Sequence, residues 1–358
     1  MRKKVLFFVE AMGGGVFTYI TNLANGLSKE FEIYVAYATR PQTPKDYKKY
    51  FNKDVHLIKV KNFDRKISFK DINAFFEMKK ICQVVKPDII HLHSSKAGIL
   101  GRWAFNGKKI PLFYTPHGYS FLMTDISKQK EKFYRILEKL SASRNCTTIS
   151  CSYGENQETK EFTMKACYVD NGINIEKINK VIAHTKKKKN KKPVVFTIGR
   201  ISIQKNPVLF NKIAEHFKDL KFVWIGDGNL RNKLTSPNIE IIGWKNEDEV
   251  LRLANSYDIF LLTSKWEGLP MSLLEAMYLK KICIASNVIG NNNVITNNFN
   301  GFLCDNLSDY IDVIYKLMNE GFPNDLLINA RKEIINHYNS TVMARGYADI
   351  YRKSLKNR

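Results

Sequence analysis

The chain has 358 residues, long enough for two α/β domains, and 44% of them are apolar, as in a core-forming globular protein. Disorder, collagen and a small disulfide scaffold are excluded, and no apolar run nears the roughly 20 residues that span a bilayer. The net charge of +23 (57 Lys and Arg against 34 Asp and Glu) favours polyanionic partners: nucleic acid, an anionic membrane face or phosphorylated substrates.

The amino end, MRKKVLFFVEAMGGG, starts charged, but its apolar stretch breaks at Glu10 and is too short for a secretory leader. A cytoplasmic protein is expected. The six cysteines form no C-x-x-C pair and show no metal spacing, so they read as small buried hydrophobes.

Short apolar strands alternate with amphipathic helices. Val5–Val9 is a strand, and Phe17, Ile20, Leu23 and Leu27 recur after it at helical spacing. Strands follow at Glu32–Tyr37, Val55–Val60, Asp88–Leu92 and Leu112–Tyr114, with helices near 69–85, 96–106 and 128–142. The pattern pauses around 170–192, where Asp170-Asn171-Gly172 signals a turn and Lys186–Lys192 is too polar to bury. It resumes with strands at Val194–Ile198, Phe222–Ile225, Ile239–Ile242, Ile259–Leu262 and Ile282–Ala285. Helices near 205–217, 246–255 and 270–279 separate several of them, and helices at 307–319, 323–336 and 341–356 close the chain. Strands apolar on both faces with helices between them predict parallel sheets covered on both sides. The expected architecture is two doubly wound α/β domains, residues 1–172 and 173–340, with the helix of 341–358 returning to the first. Ligands of such sheets bind beyond the carboxyl ends of the strands, so the expected site is the cleft between the domains.

The residues after the strands carry the chemistry. Gly13-Gly14-Gly15 precedes a helix and suits either a tight turn or an anion at the helix amino end. It is neither a dinucleotide fingerprint, since position 18 is Thr, nor a P-loop. His91 and His93 point the same way on a strand, but no third metal ligand accompanies them. Ser94, Ser95 and Lys96 open a helix and suit a phosphate, with Arg102 further along near the same face. His117, in Thr115-Pro116-His117-Gly118-Tyr119, projects from a loop at a strand's carboxyl end. Arg200 and Lys205 make a cation clamp for a diphosphate at a strand–helix junction. Gly226-Asp227-Gly228 and Gly243-Trp244 end strands in tight loops that could admit a flat base. Glu267-Gly268-Leu269-Pro270-Met271-Ser272-Leu273-Leu274-Glu275 sets two carboxylates around a helix start. A carboxylate accepts hydrogen bonds from vicinal hydroxyls, as in ribose recognition, and the intervening N–H groups suit a phosphate.

Glu267 to Glu275 resembles the E-x(7)-E motif of retaining family 4 glycosyltransferases of the GT-B fold. GRISIQKNP (199–207), WIGDG (224–228) and VDNGIN (169–174) resemble that family's segments in the same order, and the likeness covers essentially the whole chain. HLHSSKAGILGR (91–102) and YTPHGYSF (114–121) resemble acceptor-domain segments of enzymes that build bacterial capsule and O-antigen polysaccharides on lipid carriers. The resemblance implies a nucleotide-diphosphate sugar donor, most commonly a UDP-sugar, with no metal, no cofactor and retention at the anomeric carbon. It implies that Glu275 binds the ribose hydroxyls, Glu267 faces the donor sugar, and Arg200 and Lys205 neutralise the diphosphate. Gly14 and Gly15 would approach the donor phosphates, and His117 would sit at the sugar. Gly243 and Trp244 would meet the base, and the backbone of Gly268, Leu269, Pro270 and Met271 would complete the phosphate and sugar contacts. Ser94, Ser95, Lys96, Arg102 and Tyr119 would serve the lipid-diphosphate acceptor.

An anionic membrane face would suit the charge. In Lys128–Lys139, Phe133, Ile136, Leu137 and Leu140 share one face with Lys128, Lys130, Lys132, Arg135 and Lys139 around it, which fits an interfacial helix or a core-facing helix with a solvated basic side. A sugar-nucleotide epimerase or a phosphorolytic enzyme of the same fold is the alternative, distinguished by needing no saccharide acceptor. A catalytically dead binding module is disfavoured because the motif residues are all present. No nucleic-acid-binding signature appears in the sequence, so no nucleic-acid partner is expected.

Overall fold

The computed structural model describes residues 2–64, 69–183, 185 and 191–356. Residues 186–190 of the expected lysine linker, and 357–358 at the end of the last expected helix, lie outside the described residues.

The chain forms two compact units, Met1–Gly172 with Ser340–Arg358, and Ile173–Asn339. Unit 1 starts with β1 (Lys4–Met12), α1 (Gly14–Leu27), β2 (Glu32–Thr39), β3 (Val55–Lys59), α2 (Lys70–Val85) and β4 (Ile89–His93). It continues through α3 (Ser95–Ala104), β5 (Leu112–Thr115), α4 (Lys128–Ala142), β6 (Thr147–Ser150), α5 (Tyr153–Lys160) and β7 (Ala166–Tyr168). Unit 2 runs α6 (Ile175–Ala183), β8 (Val194–Ile198), α7 (Pro207–His216), β9 (Lys221–Ile225), β10 (Ile239–Gly243) and α8 (Glu247–Ser256). It ends with β11 (Ile259–Leu262), α9 (Met271–Tyr278), β12 (Ile282–Ser286), β13 (Phe302–Cys304), α10 (Leu307–Glu320) and α11 (Asn324–His337). The last helix, α12 (Ser340–Lys356), belongs to unit 1.

Both sheets are doubly wound and parallel, as the apolar runs predict. Unit 1 has the order β3-β2-β1-β4-β5-β6-β7 and unit 2 the order β10-β9-β8-β11-β12-β13. The order reverses between β1 and β4 and between β8 and β11, the positions where such sheets open a ligand crevice beyond their carboxyl ends. Val5–Val9 is wholly buried because helices cover both faces. On one face Phe7 packs with Phe17 and Ile20 of α1 and Met343, Tyr347 and Tyr351 of α12. On the other, Phe8 packs with Ala74 and Met78 of α2 and Ala97 of α3.

β6, β7 and β13 add three strands to those expected. β6 is Thr-Thr-Ile-Ser and the other two are three-residue edge strands, so none shows a long apolar run. The expected pause at 170–192 contains α6, and the turn of α5 follows β6. Helix α4 departs from a core-facing helix. Its buried residues are Glu138, Ser141 and Ala142, while Phe133, Ile136 and Leu140 are exposed. The reason is polar: Glu138 Oε2 accepts from Arg102 Nη2 at 2.7 Å in the interior, which turns the apolar face outward. Among the described residues no helix is long and apolar enough to cross a membrane.

Candidate active site

In unit 2 the loops after β8 and β11 are joined at the order reversal. Lys205 Nζ donates to Glu267 Oε1 at 2.7 Å, and both side chains are largely buried. Gln204 Nε2 donates to the Trp266 carbonyl at 3.0 Å, and the Thr263 hydroxyl donates to the Lys205 carbonyl at 2.9 Å. Asn206, in the left-handed region at φ 49°, caps α7 by accepting from Leu209 N. Gly199 ends β8 with φ 144°, and a Cβ there would lie 3.0 Å from Lys205 Cε. Its carbonyl accepts from Trp224 Nε1 at 2.8 Å, and a Cβ on Gly226 would lie 2.1 Å from that same oxygen. The Lys205 stem is therefore laid over bare backbone, and its ammonium is aimed by Glu267.

Arg200 is partly buried just beyond β8. Gly243 ends β10, bridged to Gly226, and the Trp244 indole beside it is 47% exposed. Gly268, Leu269 and Pro270 lead into α9, whose amino end at Met271 has no side-chain cap. Its first N–H groups lack helical acceptors and carry the positive end of the dipole. One turn further on, Glu275 is buried, and burial, reinforced by Glu247 and opposed by Lys177, pushes its carboxyl up to about 8. Lys177 is itself paired with Glu247 at 2.6 Å. A buried carboxyl this high is stable protonated, and hydroxyl donors would favour its ionised form.

In unit 1, three imidazoles line up behind the carboxyl ends of β4 and β5. His91 Nδ1 lies 2.5 Å from the Tyr351 hydroxyl and Nε2 lies 2.9 Å from Thr115 Oγ1, so both nitrogens are engaged. His93 Nδ1 meets His117 Nε2 at 3.2 Å, with the two rings stacked at 5.4 Å. His117 has φ 59°, and the Tyr19 ring meets it edge-on at 4.5 Å. Burial lowers the His117 imidazole to about 3 and takes His91 and His93 well below the ordinary range, so all three are neutral at pH 7. Among the described residues no cluster of three or more His, Cys, Asp or Glu is arranged for a metal ion.

Residues 179–335 match the family model of glycosyl transferases group 1, and residues 13–177 match that of glycosyltransferase family 4. The UDP-Gal:alpha-D-GlcNAc-diphosphoundecaprenol alpha-1,3-galactosyltransferase of Escherichia coli is 32% identical over 336 residues, covering 84% of this chain and 85% of its own. The chain belongs to glycosyltransferase family 4. A Campylobacter jejuni relative, a GalNAc-alpha-(1->4)-GalNAc-alpha-(1->3)-diNAcBac-PP-undecaprenol alpha-1,4-N-acetyl-D-galactosaminyltransferase, is 25% identical over 92% of this chain and 93% of its own. Among solved structures, sucrose-phosphate synthase from Thermosynechococcus elongatus superposes with a TM-score of 0.82 at 14% identity over the full length of both chains. Anabaena HepE in complex with UDP and glucose superposes with a TM-score of 0.75 at 16% identity, over 96% of this chain and 98% of that one. The fold is GT-B.

In this glycosyltransferase the structure gathers Lys205, Glu267 and the amino end of α9 at one place, with Arg200 at the end of the neighbouring strand. Gly14 opens α1 with φ 56°, followed by Gly15, beyond β1. Ser94 and Ser95 open α3 beyond β4, and the Ser94 hydroxyl is buried without a hydrogen bond. Two expected acceptor residues, Arg102 and Tyr119, are corrected. Arg102 is fully buried, its guanidinium 4.2 Å over the Tyr114 ring and paired with Glu138. Tyr119 is buried with its hydroxyl 2.8 Å from Thr159 Oγ1, so neither residue can touch an acceptor. Lys96 Nζ is held 2.6 Å from Asp71 Oδ1 and donates at 2.6 Å to the Asp64 carbonyl, a pairing of the same kind as that of Lys205 with Glu267. Glu155, which accepts from Gly118 N at 2.6 Å, was not expected. Its trace in the sequence is Ser152-Tyr153-Gly154-Glu155, the spacing of a helix cap, and Ser152 does cap Glu155 N.

Proposed function

We propose that this enzyme moves a hexose or N-acetylhexosamine, with retention, from a UDP-sugar to a saccharide on a lipid diphosphate in capsule or O-antigen assembly. The Lys205–Glu267 pair beside the uncapped start of α9 is the observation that carries this reading. The names of the Escherichia coli and Campylobacter jejuni relatives support the donor and the acceptor.

The bond from the anomeric carbon to the UDP oxygen breaks as a bond to the acceptor oxygen forms on the same face. The acceptor's proton passes to the leaving phosphate. Negative charge collects on UDP, where fixed cations and N–H groups stabilise it without solvent reorganisation. An ammonium has three N–H donors. Glu267 takes one from Lys205, leaving two for the diphosphate; Arg200 and the Gly268–Met271 backbone add to them, and no metal is assigned a part. Glu267 is spent on Lys205 and the sugar, so Glu267 and Glu275 are not the acid–base pair of a glycosidase. Glu275 receives the ribose hydroxyls, Trp244 with Gly243 flanks the base, and neutral His117 hydrogen-bonds the sugar. Gly14 and Gly15 serve the phosphates, and Ser94 and Ser95 the acceptor diphosphate.

Proton linkage tests the Glu275 assignment. With its carboxyl at about 8, the free enzyme holds a proton at pH 7 that ribose hydroxyls must displace. UDP binding is therefore expected to release about one proton at pH 7, and affinity to rise with pH by up to about tenfold per unit until pH 8. Calorimetry in buffers of different ionisation enthalpy reads the proton count. Glu275→Gln should bind more weakly and release none; the same release from this variant would refute the assignment.

The lipid carrier places the acceptor at an anionic membrane face. Support comes from the outward Phe133, Ile136 and Leu140 of α4, ringed by exposed Lys128, Lys130, Lys132 and Lys139. The enzyme is expected to float with vesicles containing phosphatidylglycerol and not with neutral ones. Phe133→Ser with Ile136→Ser should abolish flotation and leave UDP affinity within twofold. Flotation retained by the double variant would remove α4 from the account.

A further inference from the structure

His117 is held by two groups that the proposed chemistry does not use. Its backbone is left-handed at φ 59°, a conformation that side chains rarely adopt, and Gly118 follows at φ 95°, which glycine tolerates, so the loop after β5 makes a sharp turn with its strain at His117. Such a turn persists only if its surroundings fix it. Glu155, wholly buried in the first turn of α5, does so with both carboxylate oxygens. Oε1 accepts from Gly118 N at 2.6 Å and Oε2 accepts from Cys151 N at 2.8 Å. One carboxylate thereby ties the loop after β5 to the loop after β6.

The ring is set separately. His93 Nδ1 and His117 Nε2 share one hydrogen bond at 3.2 Å, so one nitrogen donates and the other accepts. His93 Nε2 is buried with no hydrogen bond. If His117 donated, neutral His93 would carry its proton on Nε2 and bury an orphaned N–H donor. If His93 donates, its Nε2 is a bare lone pair, and an under-satisfied acceptor is the cheaper and commoner defect. Neutral His117 then accepts at Nε2 and carries its proton on Nδ1, which makes no hydrogen bond among the described residues.

We propose that Glu155 and His93 are positioning residues for His117: Glu155 fixes its left-handed loop, and His93 fixes it as the Nδ1–H tautomer, which presents a donor and no base. This rests on the reading of His117 as a contact to the donor sugar, but the tautomer is measurable without any turnover.

The test is imidazole nitrogen NMR on the full chain labelled with nitrogen-15 histidine, using His117→Asn to assign the His117 signals. The Nδ1–H pattern is expected, unchanged from pH 8 to pH 5.5. An Nε2–H pattern, or titration near pH 6.5, would overturn the proposal. In His93→Phe, which keeps a ring and removes the hydrogen bond, His117 should show both tautomers; a pure Nδ1–H pattern there would overturn the role of His93. Glu155→Gln supplies one acceptor and one amide donor to two N–H groups. It should lower kcat about 10-fold to 100-fold while UDP affinity stays within twofold. Equal losses in kcat and UDP affinity, or no loss, would remove Glu155 from the proposal. If His117→Asn turned over normally while the tautomer result held, the catalytic reading would fail and the positioning of the ring would stand.

Discussion

Replacing Lys205 by alanine is expected to lower kcat/KM for the sugar donor by about 10²- to 10³-fold, the usual loss when one fixed donor to a developing anion is removed. Three features of the structure make the effect this large. The ammonium is largely buried and already aimed, since Glu267 accepts from it at 2.7 Å. Its stem lies against Gly199, with no side chain between, so the position cannot be filled from a neighbouring rotamer. Its backbone carbonyl accepts from Thr263, which locks the loop to the end of β11. The control is Lys265→Ala, an exposed cation in the adjoining loop whose backbone N–H donates to Gln204. A general attraction of donor to positive charge would make the two losses equal. Lys265→Ala is expected to stay within twofold, and steady-state kinetics on both variants, with melting temperatures alongside, decide between them.

Glu138→Ala is expected to cost about 3–5 kcal/mol of stability, the typical penalty for stranding a buried charge. Arg102 is fully buried, and its Nη2–Glu138 bond of 2.7 Å is supported by an Nε bond to the Gly98 carbonyl at 2.9 Å. The Tyr114 hydroxyl also donates to Glu138, at 3.2 Å. Removing the carboxylate leaves a guanidinium between an aromatic ring and a carbonyl with no counter-charge. Arg102→Met together with Glu138→Leu replaces the pair by apolar groups and should recover most of the loss. Urea unfolding reads both. A loss below about 1 kcal/mol for Glu138→Ala would mean that water reaches the pair.

That ion pair also shows where sequence reading stops. The helical spacing of Phe133, Ile136 and Leu140 marks one face of α4, but a periodicity carries no sign and cannot say whether the face points in or out. The sign is set by Glu138 meeting Arg102, 36 positions away. The same pairing withdraws Arg102 from the acceptor residues. The strands with apolar residues on both faces were legible because burial on both sides leaves an unbroken run, as at Val5–Val9. β6 was not, since Thr147, Thr148 and Ser150 carry hydroxyls and read as loop, although Ser150 Oγ is paired in the interior with Thr159 Oγ1 at 2.9 Å. Lys205 and Glu267 were each visible as residues following strands. Their meeting depends on β8 and β11 being neighbours, which the strand order decides. The cap spacing of Ser152 and Glu155 marks only a helix start; the bonds of Glu155 to the N–H groups of Gly118 and Cys151 follow from the fold and leave no side-chain pattern.

The proposed reaction is retaining transfer from a UDP-sugar to a lipid-diphosphate saccharide. Its most direct test incubates the purified enzyme, in EDTA, with a panel of α-linked UDP-sugars and a short-chain polyprenyl-diphosphate-linked sugar, followed by NMR of the product's anomeric proton. One α-linked disaccharide from one donor is expected, with an equivalent amount of UDP. A β-linked product, a strict requirement for added metal, or conversion of the nucleotide sugar without the acceptor would contradict it.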